Sequence, residues 1–339
     1  MEKSTVKEVV MYIRSFKNTF LLVGIIIFML LVTSITYAGP ILIKLGWTTS
    51  DGPSDPYAIT ARQFAKALAK EAPGQFKVEF YPNRALGDEK EMLEGLSFGT
   101  IHMAVITNAP IASIEPAFQV NDLPFLYPNE LKAHKVLDGL VGKMLMKKLE
   151  AKNIIGFGFA EGGFREMINN VRPIYTPKDV VGIKWRVMQN PVYIGMFRAL
   201  GGNAVPMAWG EVFTAVQQGT IDGLEIPIAV IQNNGFYEIT KYLSLTNHTY
   251  SALGVLMAKR VWNKLSSGQK EAVRKAARIA IVREREMNMA NVKRLVDKLQ
   301  EEGMKINAIK DHVGAKNKPH HNGVFLGAIQ QPQKEKHPN

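Results

Sequence analysis

The 339-residue sequence contains no cysteine. Disulfides, thiol catalysis and cysteine-ligated metals are therefore excluded. A lipoprotein anchor is excluded too, since it needs a cysteine to carry the lipid. Catalytic signatures are also missing. There is no Gly-x-Ser-x-Gly elbow, no P-loop, no His-Glu-x-x-His and no Rossmann glycine fingerprint. Asp88 and Glu89 are adjacent acids, but adjacency in sequence does not make a catalytic pair. His102 and His248 stand alone and read as structural, and His312, His320 and His321 fall in a C-terminal tail that gives no reason for a metal site. The formal charge of +12 raises nucleic acid or membrane lipid as partners. The lysines and arginines are scattered, however, with no dense basic block and no nucleic-acid motif. The expectation is a non-enzyme without metal, cofactor or nucleic-acid partner.

One long apolar run is present. Residues 1–19 carry Lys3, Lys7, Arg14 and Lys17, then Phe20 to Val32 reads FLLVGIIIFMLLV, and TSITYAGP follows with small residues at Thr36 and Ala38. A positive flank, an apolar run and a small-x-small site form a secretory signal. Residues 1–38 are expected to be this signal, cleaved after Ala38; the alternative is an uncleaved anchor. The run is short for a membrane span of about 20 residues. An exported protein without a second such run is expected to be soluble.

From residue 41 onward, strand-like and helix-like segments alternate, which argues an α/β fold. ILIKLGW (41–47), FKVEFYP (76–82) and IHMAVIT (101–107) read as strands; residues 55–72 and 89–98 read as amphipathic helices, the second stopped by Gly99. EMLEGLSFGTIH (91–102) aligns without a gap on EVFTAVQQGTID (211–222), and FKVEFYPN (76–83) resembles IKWRVMQN (183–190). The repeat predicts two related lobes, and two lobes around a cleft suit ligand capture by closure. A helical pattern from Ser266 to Glu302, with a Ser266–Gln269 capping box and Gly303 as stop, predicts a spine across both lobes. Residues 310–339 show no period and read as a disordered tail.

GIKWRVM (182–188) raises the question of chemistry. Period-2 alternation puts Ile183, Trp185 and Val187 on one face and Lys184, Arg186 and Met188 on the other. Arg186 belongs either to a solvated face or to a rigidly held anion grip, and spacing alone leaves both open.

Residues 182–227, GIKWRVMQNPVYIGMFRALGGNAVPMAWGEVFTAVQQGTIDGLEIP, resemble the solute-binding proteins of tripartite ATP-independent periplasmic (TRAP) transporters, of the C4-dicarboxylate-binding type. So do YPNRALGDEKEMLEGLSFGTIHMAV (81–105), DLPFLY (122–127), AHKVLDG (133–139), GGFREMINN (162–170) and FYEITKYLSLTNH (236–248), all in family order. The resemblance covers roughly residues 41–306. It implies a two-lobed periplasmic binding protein, type II-like, with a long helix spanning both lobes. Lobe 1 would comprise 41–162 plus about 250–285, and lobe 2 would comprise 163–249 plus about 286–309. The implied function is capture of a small organic acid in the periplasm and delivery to the membrane subunits of a TRAP permease. The alternative is a sensor that presents a bound carboxylate to a receptor.

The resemblance also assigns residues. Arg186 occupies the position whose arginine pairs with the ligand carboxylate. A planar guanidinium can hold a carboxylate through two parallel hydrogen bonds. Arg165 matches a second arginine, whose other reading is an ion pair between lobes. Trp209 matches a cleft wall. Glu89, Asn108 and Thr48 match places where the first lobe meets ligand. The family's D-G-x-E-N-P is DGLEIP here, so Ile226 replaces a polar contact. That departure predicts an acid with an apolar portion near Ile226 and Trp209, and weak binding of sugar acids such as sialic acid. The ending beyond GMKI does not resemble the family's helical segments, which implies apolar surface left uncovered.

Overall fold

The computed structural model describes residues 11, 16, 20, 39–310 and 323–330. Residues 1–40 and 41–339 are separate compact units. In the first, Met11, Phe16 and Phe20 are helical and exposed; the rest of the expected signal segment lies outside the described residues. Among the described residues no helix is long and apolar enough to cross a membrane.

The second unit opens with a β-α alternation. Strand β1 (Ile41–Gly46) leads to helix α1 (Pro56–Glu71), β2 (Phe76–Tyr81), α2 (Glu89–Phe98), β3 (Met103–Thr107) and the short α3 (Asn108–Ile114). Local chemistry sets these limits. Asp55 caps α1 by accepting the Tyr57 and Ala58 N–H groups, and Pro56 occupies the first helical position. Gly99, at φ 79°, ends α2 in the left-handed conformation. Helices α4 (Glu130–Asp138) and α5 (Leu140–Lys148) then lead into the long strand β4 (Ile154–Asn169).

The alternation is then repeated: β5 (Lys184–Val187), α6 (Pro191–Ala199), β6 (Asn203–Pro206), α7 (Trp209–Gln217), β7 (Gly223–Pro227) and α8 (Ile228–Asn233). A second long strand, β8 (Tyr242–Ala258), is followed by α9 (Lys259–Asn263), α10 (Ser267–Glu301) and β9 (Lys305–Ala308).

Among the described residues, all nine strands join one sheet, in the order β2-β1-β3-β8-β4-β7-β5-β6, with β9 beside β8. The order is the same read from either end: β1 lies between β2 and β3, β5 lies between β6 and β7, all parallel, and the antiparallel pair β4–β8 joins the halves. Each long strand changes neighbours midway. β8 pairs β3 through Leu253–Met257 but β9 through Tyr242–Leu245, and β4 pairs β7 only through Arg165–Asn169. The change falls where β4 bulges, between Glu161 and Gly163 and between Arg165 and Met167.

This order corrects the repeat inferred from sequence. Residues 91–102 and 211–222 do correspond, as α2 and α7 with the turns after them. The proposed partner of 76–83 does not: β5 is the counterpart of β1, and the counterpart of β2 is β6. β2 is half-exposed and β5 buried, yet both alternate with period 2, so alternation by itself does not tell an edge strand from a central one.

Helix α10 follows its sequence signals. The Ser266–Gln269 capping box opens it, and it closes at Gly303, φ 95°. Its 35 residues span about 52 Å at 1.5 Å each. Ala272, Val273, Ala276, Ala277 and Ala280 form the buried stripe that packs on α1 and β4, while Leu295 and Leu299 are buried farther along. The run of alanines lets the helices approach closely.

The tail needs a second correction. Gly323–Gln330 forms a helix, α11, and Phe325 is 1% exposed in a cluster with Ile174, Val180, Trp185, Tyr193 and Phe197. Phe325, with Ala328 and Ile329 packed beside it, holds this segment on the core, and eight residues are too few to display a helical period. Part of the apolar surface expected to be bare is thus covered. His312, His320, His321 and the rest of the expected tail beyond Lys310 lie outside the described residues.

Candidate functional site

In open parallel sheets, ligands bind beyond the carboxyl ends of the strands. Here the ends of β1, β3, β5 and β7 converge from the two halves. They enclose a cavity of about 30 Å³, room for about one water molecule. Ligand pockets run roughly 300–1,000 Å³, so here the two halves stand too close together to hold an acid without some opening. Thr48 and Thr49 come from the end of β1, Thr107 from β3, Arg186 and Met188 from β5, and Ile226 and Pro227 from β7. Glu89 and Trp209 are the first residues of the matching helices α2 and α7; Tyr57, Arg165 and Val230 complete the lining. A larger open hollow of about 460 Å³ lies between Gly52–Ser54 and the C-terminal part of α10. It holds none of the residues singled out in the sequence, and its Arg294 is exposed on the helix.

Arg186 is 4% exposed. Nε and Nη2 both donate to the Met207 carbonyl, at 3.0 and 2.8 Å, which fixes one edge of the guanidinium. The other edge, Nη1 with the second Nη2 hydrogen, remains for a carboxylate fork. Among the described residues no carboxylate lies within 4.0 Å of it. Burial lowers its pKa to about 10, against the raising influence of Glu225 and Glu89. A buried cation held rigidly without an anion is costly, and an arriving carboxylate relieves that cost.

Arg165 is placed differently. It is 3% exposed, it donates from Nε and Nη2 to the Glu225 carboxylate, and Nη2 also reaches the Glu225 carbonyl at 2.6 Å. Its guanidinium lies 5.6 Å from the Tyr193 ring centre. Burial alone would raise the Glu225 pKa, but Arg165 and His248 hold it below the usual carboxylate range. Arg165 lines the cavity, and its ion pair is with Glu225 on the neighbouring strand β7, within the second lobe, so the expected pair between lobes is not what holds it. The two arginines differ in that only Arg186 lacks a protein anion.

Glu89 accepts the Thr107 N–H at 2.9 Å through Oε1, and burial raises its pKa to about 7. Near neutral pH a large share of it is protonated and able to donate. Thr48, Trp209 and Ile226 are all in the lining, as the sequence suggested. Asn108 is not among the lining residues. Its Nδ2 donates to the Phe118 carbonyl at 2.8 Å and its Oδ1 accepts from Asn121 at 3.0 Å, so both ends of the amide are spent on the 3₁₀ turn Pro116–Asp122. Sequence reasoning missed Tyr57, Thr49, Thr107, Met188, Pro227 and Val230. Met188 had a signal, since it shares the strand face of Arg186; Tyr57, in the first turn of an ordinary amphipathic helix, had none.

Such a site, a shared sheet with a small cavity between its halves and, among the described residues that line it, one buried cation without a carboxylate within 4.0 Å, suits a ligand-capturing protein. The bacterial extracellular solute-binding protein family 7 model (DctP) matches residues 48–324, and the chain belongs to this family of TRAP solute-binding proteins. A solute-binding protein of Verminephrobacter eiseniae is 37% identical over 243 residues, 72% of each chain. A TRAP periplasmic solute-binding protein from Bordetella, with density assigned to pantoate, superimposes with a TM-score of 0.80 at 36% identity, covering 85% of this chain and 92% of that one. The sugar acid binding protein DctPAm of Advenella mimigardefordensis, in complex with galactonate, gives 0.78 at 37%, covering 80% and 87%. The two-lobed α/β fold and the role in transport rather than catalysis follow from this membership.

Proposed function

We propose that this chain captures a small hydroxy acid in the periplasm and delivers it to the membrane subunits of a TRAP permease. The observation that carries the reading is Arg186: buried, fixed on one edge by the Met207 carbonyl, and without a protein carboxylate. The acid's carboxylate sits on the free Nη1–Nη2 edge. Thr48, Glu89 and Thr107 meet its hydroxyl groups from the first lobe, and Met188, Trp209 and Ile226 pack against its carbon skeleton. The apolar side makes a branched hydroxy acid such as pantoate a better ligand than a polyhydroxylated one such as galactonate. The lobes divide at Gly162–Gly163 in β4 and Thr249–Tyr250 in β8, where the strands change partners, and they close by bending there. Export proceeds through residues 1–38.

A thermal-shift screen of residues 39–339 against pantoate, galactonate, C4-dicarboxylates, keto acids and aromatic acids tests this. A ligand that binds only the folded state raises the melting temperature. Pantoate is expected to give a larger shift than galactonate. A cooperative melt that no carboxylate shifts would sink the reading.

A further inference from the structure

Two glycines lie where the lobes meet, and neither lines the acid's cavity. Gly52 follows β1 in the first lobe. A Cβ on it would stand 2.1 Å from Oδ1, 2.8 Å from Cγ and 3.1 Å from Cβ of Asn233, at the end of α8 in the second lobe. Asn233 cannot easily withdraw. Its Nδ2 donates to the Ala229 carbonyl at 2.7 Å and to Ser54 Oγ at 3.0 Å. Next to it, Asn234 Oδ1 accepts the Ser50 N–H at 2.9 Å.

Gly210 is the second residue of α7. A Cβ there would meet Arg84 Nη1 at 1.7 Å and Asp88 Oδ2 at 2.8 Å, both from the first lobe. The Gly210 N–H itself donates to Asp88 Oδ2 at 3.3 Å. Neither glycine has a positive φ. Their backbones suit any residue, so conformational freedom is not the reason for glycine. What each requires is space, and the space is occupied by the opposite lobe.

We infer that Gly52 and Gly210 are positions that permit closure, and that they set the affinity for the acid without touching it. Bare backbone on each lobe lets the other lobe's polar side chains come into hydrogen-bonding distance. A side chain at either glycine acts as a wedge. The open form tolerates it, and the population of the closed form falls, which lowers apparent affinity by the same factor. Gly52 is the firmer wedge point, because it faces the short, anchored Asn233. At Gly210 the nearest atom is the flexible end of Arg84, so the effect is smaller. The inference rests on the reading of the protein as one that closes on its ligand.

The absence of cysteine makes the test clean. E94C on α2 and Q218C, just after α7, place two dyes on exposed sites of the two lobes for single-molecule energy transfer. The probe ligand is pantoate, with galactonate alongside. In the labelled chain, Gly52→Ala is expected to reduce the closed population and raise the pantoate Kd at least tenfold, with an unchanged melting temperature in the absence of ligand. Adding Asn233→Ala, which removes Oδ1 and Cγ, is expected to restore closure. Gly210→Ala, at a helical position where alanine is the better helix former, gives a smaller loss and serves if the first variant does not fold. An unchanged closed population in Gly52→Ala, or a loss that Asn233→Ala does not repair, would overturn the inference. If the parent chain closes but binds neither acid, the ligand assignment fails and the inference stands.

Discussion

Replacing Arg186 separates ligand affinity from fold stability. In Arg186→Ala the cavity loses its free guanidinium edge, and the acid's carboxylate would be buried against Arg165, which Glu225 already neutralises. Two charge-assisted hydrogen bonds are lost, at about 1.5–3 kcal/mol each. Breaking a buried charge pair by removing one partner costs about 3–5 kcal/mol. The first route gives a rise in Kd of roughly 140- to 20,000-fold and the second of roughly 140- to 4,000-fold, taking ~1.4 kcal/mol per factor of ten. Arg186→Lys is expected to fall in the same range, because an ammonium cannot fill both the Met207 carbonyl and a carboxylate fork. The fold should respond the other way. The parent holds a buried cation with no anion beside it, so Arg186→Met is expected to leave the ligand-free melting temperature unchanged or raised. Calorimetric titration of the acid identified by thermal shift, with a parallel melt of each variant, reads both effects. A loss of affinity below tenfold in Arg186→Ala would refute the reasoning, as would a substantial drop in the melting temperature of Arg186→Met.

Glu225→Gln leaves Arg165 buried without its counter-ion and is expected to lower stability by about 3–5 kcal/mol in urea denaturation; a loss under 1 kcal/mol would mean that the pair is immaterial. Burial raises the pKa of Asp55, Glu89 and Asp122 to about 7 and of Glu166 to about 8. A carboxyl raised on folding favours the fold below its unfolded value, near 4, and that contribution is lost as pH rises through the folded value. Melting temperatures are therefore expected to fall between pH 5 and pH 8.5, and Glu166→Gln should flatten the upper part of the profile; a stability that rises across this range would contradict the assignment. Ile226→Asn restores a polar wall and is expected to shift preference from pantoate toward galactonate, as read by the ratio of their Kd values; an unchanged ratio would remove Ile226 from the specificity argument.

The elements were legible because their ends carry local chemistry. Asp55 with Pro56, Gly99, and Ser266 with Gln269 mark boundaries that need no tertiary partner to be recognised. Arg186 was legible as a strand residue, and the resemblance of its neighbourhood supplied its role. What the sequence could not display was pairing. The mirrored strand order depends on which neighbour each strand finds, so β5 was matched to β2 instead of β1. Arg165 and Glu225 are 60 residues apart, and nothing local announces that one arginine is neutralised while the other is free. Asn108 fits the right block, yet Phe118 and Asn121 claim its amide. Phe325 illustrates the converse: a segment without any period is helical because Phe325, with Ala328 and Ile329, packs on a core built elsewhere.

The most direct measurement is a crystal structure of the protein with its bound acid. The account predicts the acid's carboxylate on the Nη1–Nη2 edge of Arg186, with Nε and Nη2 still bonded to the Met207 carbonyl and the carbon skeleton against Ile226 and Trp209. A carboxylate held by Arg165 after displacing Glu225, or an acid bound outside this cavity, would contradict it.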